Sequence, residues 1–155
     1  MPHTHDQLCT TSETFIVFGN RVLLRKHEKY HIWLGVGGHI DPGEDPNEAA
    51  VREAMEEAGL AITLVGAKPD IGKDEKEYRQ LVAPAFMDRH RVGPTREHVT
   101  LRFFATSTTD VVHPTYQDDR SDEWKWFTKK ELDNPEYGIY DTIRYYAKAA
   151  LDAAG

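Results

Sequence analysis

Cysteine is nearly missing from this sequence. Cys9 stands alone among 155 residues, so no internal disulfide can staple the chain, and a cytoplasmic setting is the simplest expectation. Long apolar runs are missing too. No stretch reaches the length of a membrane span, and the start, Met1-Pro-His-Thr-His-Asp6, lacks the apolar centre of a signal peptide. No membrane contact is expected. Basic charge falls short as well: 19 Lys and Arg face 26 Asp and Glu, for a net charge of −7. Bulk attraction to nucleic acid is therefore not expected. A small phosphate ligand stays open, because a bound cation inverts the local sign. Repeats, low-complexity tracts and long linkers are not found either. The chain reads as one domain over 1–155, with 1–10 a flexible lead-in.

What is present has the pattern of a globular α/β protein. Thr14–Phe18 and Arg21–Arg25 read as the arms of a hairpin around Gly19-Asn20. A third apolar run, Ile32–Val36, ends at Gly37-Gly38. After the turn-rich stretch from His39, Asp45 is placed to cap a helix with Pro46 at its first position. The helix runs over Pro46–Ala58 and stops at Gly59. Ala61–Val65, Arg79–Met87, Val99–Ala105 and Glu123–Phe127 read as strands, Lys129–Leu132 as a short helical turn, and Tyr140–Ala154 as a terminal helix. Strands mixed with one central and one terminal helix predict a sheet covered on both faces.

The chemistry concentrates on the central helix. At about 100° per residue, Glu53, Glu56 and Glu57 share one face, flanked by Arg52 and Ala49. Ala50, Val51, Ala54, Met55 and Ala58 make the apolar side. Like charges at this spacing repel, and a hard divalent cation among them removes the cost. Taken alone, such glutamates more often form a solvated face. The loop before them changes the balance. Its glycine pair and tight Asp-Pro-Gly-Glu turn let backbone groups approach a ligand.

Gly38-His-Ile-Asp-Pro-Gly-Glu44, then seven residues, then Arg52-Glu-Ala-Met-Glu-Glu-Ala-Gly-Leu60 resembles the Nudix box in full spacing. The hairpin before it and the Trp126–Leu132 segment are similar to what Nudix proteins carry. One departure is Gly35-Val36, where many members have Leu-Pro. The resemblance implies an α/β/α sandwich with a mixed central sheet. It also implies a hydrolase that cuts a phosphoanhydride bond in a nucleotide-like substrate with Mg²⁺ (or Mn²⁺). Glu56 and Glu57 are then expected metal ligands. Glu53 becomes a further ligand or the base that activates water, and Gly37 a carbonyl ligand. Arg52 is implied to hold a glutamate in its rotamer, and Glu44 to brace the loop beside Gly38, with Gly59 closing the helix. Some members recruit a base from outside the box. Glu97 and Glu123 are the candidates here, with Glu123 favoured, and an ordinary surface acid is the competing account of each.

The substrate side is less defined. Arg89, His90, Arg91 and Arg96 form a phosphate clamp or, equally, a solvated basic loop. Trp33, Tyr78 and Trp124 are candidates to stack on a base, although core packing is the commoner fate of such aromatics. Tyr78 stands eighteen residues past Leu60, near the distance at which dinucleoside polyphosphate hydrolases of the family carry a tyrosine. The proline mark of ADP-ribose hydrolases is not at its usual distance. A nucleoside triphosphate or dinucleoside polyphosphate is thus favoured. Two rivals are an isopentenyl-diphosphate isomerase-like enzyme, which needs a mid-chain cysteine, and a non-catalytic nucleotide-sensing domain, which often lacks the glutamates. A homodimer is left open.

Overall fold

The computed structural model describes residues 8–71, 77–115 and 122–155. In chain order the strands are β1 Leu8–Phe18, β2 Arg21–Lys26, β3 Trp33–Leu34, β4 Val36–His39, β5 Ile62–Val65, β6 Phe86–Arg91, β7 Glu97–Ser107 and β8 Glu123–Thr128. The helices are α1 Pro46–Glu53, continued by a π turn over Ala54–Ala58, then α2 Lys129–Leu132 and α3 Asp141–Ala154. Among these residues no helix is long and apolar enough to cross a membrane.

The strands form one mixed eight-stranded sheet. β1 runs parallel to β7 over ten residue pairs, and every other pairing is antiparallel. β1 and β2 pair only beside their turn, at Val17↔Val22 and Phe18↔Arg21. Further along, β4 pairs with β1 and β3 pairs with β2. The run expected over Ile32–Val36 is thus two short strands broken at Gly35. Gly35 must lack a side chain, since a Cβ there would lie 2.9 Å from Glu13 Cγ.

Alternation along β1 divides the core. Phe15 and Val17 join Val22, Leu24, Trp33, Phe127 and the α3 residues Ile143, Ala147, Ala150 and Leu151 on one side. Ile16 joins Leu23, Val36, Ala54, Ala58 and Leu60 on the other, under α1. The α1 side is built from alanines, so helix and sheet backbones approach closely. Ala49 is buried with them, while Val51 and Met55 are exposed. Those three positions reverse the expected wheel.

Three boundaries differ from the sequence reading. Leu8–Thr10 belong to β1, paired with Glu97–Val99 of β7, so the lead-in is shorter than expected, and 1–7 lie outside the described residues. The stretch 79–85 is not strand. Pro84 lacks a donor, and Asn47 of α1 binds Val82 through both its amide groups at 2.9 Å. The strand starts at Phe86 and carries Arg89–Arg91, expected in a loop or strand end, as its last ladder residues against β7. Finally, the expected central helix widens after Glu53. Its cap is as expected: Asp45 accepts from Glu48 N–H at 2.8 Å, with Pro46 next and Gly59 left-handed at φ 67°. Two of the orphan carbonyls at the helix end are taken up by His113 N–H on Ala58 and Thr115 N–H on Glu56.

Candidate active site

Arg52 organises the front of α1. Its fork meets Glu44 twice, Nε–Oε2 2.7 Å and Nη2–Oε1 2.9 Å, and Nη2 also donates to the His39 carbonyl at 3.1 Å. Its Nη1 donates to Glu53 Oε1 at 3.0 Å and Glu56 Oε2 at 3.1 Å. Glu44 in turn accepts from Asp41 N–H at 3.0 Å, which ties the turn-rich loop to the helix. The hydrogen bonds from Arg52 outweigh burial and hold the Glu44 carboxyl below its usual range. Arg52 is thus bonded to Glu44, Glu53 and Glu56 at once, and Glu44 to both Arg52 and the Asp41 amide.

The three glutamates do not make one ridge. The side chains of Glu53 and Glu57 are 13% and 5% exposed, against 59% for Glu56. A π turn closes its hydrogen bonds one residue later than an α turn, so successive side chains rotate by less and Glu56 swings to solvent. Glu57 points the other way and hydrogen-bonds Arg25. Arg25 shares the α1 side of β2 with Leu23. Its Nη1 also lies 3.4 Å from Asp122 Oδ2, whose side chain is 0% exposed. Neither Arg25 nor Asp122 was flagged by the sequence. An arginine inside an apolar strand, Val-Leu-Leu-Arg, was the available signal.

β4 faces this cluster. A Cβ on Gly37 would lie 1.9 Å from the Ser12 carbonyl, and one on Gly38 would lie 2.6 Å from Glu53 Oε1. Gly37 is therefore required by the β1 backbone, and Gly38 leaves room for the Glu53 carboxylate where it stands. Among the described residues no three acidic, cysteine or imidazole groups converge on one point. In kind, the donors fit a hard divalent cation: carboxylates on one helical turn, a strand carbonyl opposite, and a side-chain-free cradle at Gly38.

A cleft of about 830 Å³ opens between α3, β6, β7 and the Gly35–His39 segment, and Gly37 and Gly38 are part of its wall. Among the described residues five arginines line it (Arg25, Arg89, Arg91, Arg96 and Arg102) against the two carboxylates Glu13 and Asp88. Arg102 forms the floor. It donates to Glu13 at 2.6 Å and to Asp88 at 2.9 Å, and Glu13 also accepts from Gly35 N–H at 2.9 Å. Tyr146 donates to Asp88 at 2.8 Å, and His90 Nδ1 is also 2.8 Å from it.

Burial disfavours the charged form of Asp88. The hydrogen bonds from Arg102, Tyr146 and His90 more than offset this and hold it at about 2 instead of 3.8. A depressed carboxyl adds stability above its unfolded value and loses it as pH falls through the folded one. Acid titration from about pH 4 to about pH 2 should therefore lower the unfolding midpoint less in Asp88→Asn than in the unchanged protein. Equal slopes by circular dichroism would remove the stabilising role of this pair.

The remaining expected residues divide. Arg89 and Arg91 line the cleft, Arg89 held by Glu97 at 2.8 Å and Arg91 by the Pro94 carbonyl at 2.9 Å. The bond from Arg89 holds the Glu97 carboxyl below its usual range. Trp33 is core: its ring meets Phe127 edge-on at 5.0 Å, so it is not free to stack on a base. Tyr78 is half exposed and is not among the residues that line the cleft. Trp124 packs against the α1-side core. Glu123 is exposed and pairs with Lys26. It has the parity of Phe127 in the α3-side core, whereas Trp124 and Trp126 lie under α1. Its carboxylate thus leaves the sheet on the face opposite Glu57.

A sequence model of the NUDIX domain matches residues 12–148. The chain is 32% identical over 128 residues to an RNA pyrophosphohydrolase of Gluconacetobacter diazotrophicus, covering 79% of this chain and 75% of that one. It superposes on a NUDIX-family hydrolase of Clostridium perfringens with TM-score 0.83 and 34% identity, over 94% and 97% of the two chains. An Ap4A hydrolase of C. elegans shares the fold at TM-score 0.62 and 19% identity, over 92% and 95%. The Arg52–Glu44–Glu53 geometry and these likenesses agree: the chain belongs to the Nudix family of hydrolases that act on acid anhydride bonds.

Proposed function

We propose that this chain is a Mg²⁺-dependent pyrophosphohydrolase acting on a nucleotide substrate, with a nucleoside triphosphate or dinucleoside polyphosphate favoured. The observation that carries this reading is the position of the glycine pair. Gly38 abuts the Glu53 carboxylate on one side and lines the arginine-rich cleft on the other. A substrate lying over β4 brings its diphosphate to the glutamates while the rest of the molecule occupies the cleft. Arg91 and Arg96 stand on the cleft wall beside the paired Arg89, and such groups suit a polyanion.

Glu53, Glu56 and Glu57, with the Gly37 carbonyl, are the groups that would hold the cation. When bound, it supplies charge neutralisation for the phosphoanhydride oxygens and for an attacking water. Arg52 keeps Glu53 from rotating away, and its own rotamer is fixed by Glu44. Glu53, next to Gly38, is the group placed to take the water proton once a substrate crosses β4. Arg89 and Arg91, with Arg96, orient the distal part of the substrate.

A second reading is favoured by the relative named an RNA pyrophosphohydrolase, three quarters of which the chain covers. The substrate would then be a 5′-triphosphorylated RNA, gripped locally by the cleft arginines although the protein as a whole is acidic. One experiment separates the readings. The protein is incubated with nucleoside triphosphates, dinucleoside polyphosphates, ADP-ribose and a 5′-triphosphorylated oligonucleotide, with Mg²⁺ or with EDTA, and products are identified by mass. Turnover of one class, abolished by EDTA, is expected. No turnover of any member by folded protein, or full turnover in EDTA, refutes the proposal.

A further inference from the structure

Ser12 lies within β1, 1% exposed, and its hydroxyl has no hydrogen-bond partner among the described residues. The β1–β7 register is unbroken from Leu8 to Val17, so Ser12, Thr14 and Ile16 point to one face. It is the α1 side, which Ile16 shares with Ala54 and Ala58. Across the ladder Ser12 pairs with Gly38 of β4. Gly38 has no side chain, and the place where its Cβ would stand is 2.6 Å from Glu53 Oε1. Paired Cβ positions on one face lie about 4.5–5.5 Å apart, so the Ser12 side chain and the Glu53 carboxylate are neighbours across that gap. We infer that Ser12 is a positioning residue, whose hydroxyl donates to the Glu53 carboxylate when that carboxylate is drawn off Arg52 toward a divalent cation. This inference rests on the metal reading of α1 given above.

Burying a hydroxyl without a partner is unfavourable, and alanine would pack here nearly as well. Packing alone therefore does not account for a serine at this place, whereas an intermittent partner does. Under the metal reading, Glu53 is the neighbour whose partners change. It receives a hydrogen bond from Arg52 Nη1 at 3.0 Å. That same nitrogen meets Glu56 at 3.1 Å, and the rest of the fork is held by Glu44, so Arg52 cannot follow Glu53 without giving up the others. A carboxylate only 13% exposed has little water to replace that bond. A neutral hydroxyl suits the task better than a second cationic group. It satisfies one oxygen and leaves the negative charge to the cation. Only the serine χ1 has to turn between staggered wells, and β1 and β4 keep their register. Thr14 is the built-in contrast. Its hydroxyl is also buried and without a partner among the described residues, but it pairs with Val36, two residues further from Gly38.

The test is calorimetric titration of MgCl₂ into the full chain, with no nucleotide present, beside thermal unfolding. Ser12→Ala should weaken Mg²⁺ affinity by about tenfold or more, as loss of an outer partner of a metal ligand does. Its melting temperature should stay level or rise, because a buried unpaired hydroxyl is gone. Thr14→Val should likewise keep or raise the melting temperature, and leave Mg²⁺ affinity unaltered. In a Glu53→Gln background, Ser12→Ala should have no further effect on affinity, since the hydroxyl acts through that carboxylate. Unaltered affinity in Ser12→Ala overturns the inference, as does an equal loss in Thr14→Val or an undiminished loss in the Glu53→Gln background. A clear fall in the melting temperature of Ser12→Ala also overturns it, since the hydroxyl would then serve the fold. The comparison of Ser12→Ala with Thr14→Val decides alone if Glu53→Gln binds too weakly to measure. If the unchanged protein takes up no Mg²⁺, the metal reading falls and the inference with it, an outcome distinct from equal binding by protein and variants.

Discussion

Glu57→Gln is expected to leave a folded protein whose kcat/KM falls by roughly 10²–10³-fold, the loss that follows removal of one preorganised contact to developing charge. The substitution keeps the shape and an acceptor oxygen, and takes away the charge. Glu57 sits on the π turn where Ala54 and Ala58 anchor the helix to the sheet, so its position is set by packing that the variant retains. Arg25 keeps Asp122 at 3.4 Å. The stability cost should therefore be smaller than the about 3–5 kcal/mol of a stranded buried charge. Steady-state kinetics at saturating Mg²⁺, beside thermal unfolding, checks both halves. Activity near that of the unchanged protein would remove Glu57 from the metal site. Loss of fold would instead mean that the Arg25 pair is chiefly structural. Glu56→Gln makes a useful contrast. Its exposed carboxylate holds no strand in place and meets Arg52 at 3.1 Å, so a loss of rate there without loss of stability belongs to the front of the helix.

Much of this arrangement was legible in the sequence because local rules decide it. The Asp45 cap, Pro46 at the first turn and Gly59 at the stop depend on backbone groups within a few residues, and all three stand where expected. The spacing of Arg52 and Glu44 matters only across one loop and one helical turn, and that pair too is in place. The box spacing indicated which side chains gather in front of the helix. Its 3.6-residue wheel could not indicate that the helix widens at Ala54. The carbonyls at the helix end are met by His113 and Thr115, far along the chain, and Glu56 leaves the shared face where the helix widens.

Sheet parity explains the other discrepancies. Glu123 and Asp122 are neighbours in sequence, and one residue decides which face a strand side chain takes. The register Trp124↔Arg25 puts the face of Arg25 in line with Trp124, and it is Asp122, not Glu123, that reaches Arg25. The Glu13–Arg102–Asp88 floor was illegible for a similar reason. Its members come from three strands that meet only through the parallel β1–β7 pairing and the β6–β7 hairpin. Trp33 reads as an aromatic near a glycine loop, which suits stacking. The hydrophobic side it shares with Phe127 and Tyr137 claimed it for the core.

The adjacent glycines of β4 should fail in different ways when given a methyl group. In Gly37→Ala the new Cβ would meet the Ser12 carbonyl at 1.9 Å and the Glu13 Cα at 2.8 Å. Both are backbone atoms of β1, and no rotamer change relieves them. β4 must separate from β1, and the expected loss of stability is about 3 kcal/mol or more. In Gly38→Ala the nearest atom is Glu53 Oε1 at 2.6 Å, the end of a side chain that can swing away. The fold should then survive with a change within about 1 kcal/mol, while Glu53 leaves both Arg52 and the line of the substrate. A shift of that order in a reacting group costs about 10²-fold in rate. Chemical denaturation and kcat measured on the same two proteins give the comparison. Gly37→Ala should move the denaturation midpoint and Gly38→Ala should move kcat. A fully active Gly38→Ala protein would mean that Glu53 does not work from the position against β4, and the proposed path of the diphosphate over the glycine pair would have to be abandoned.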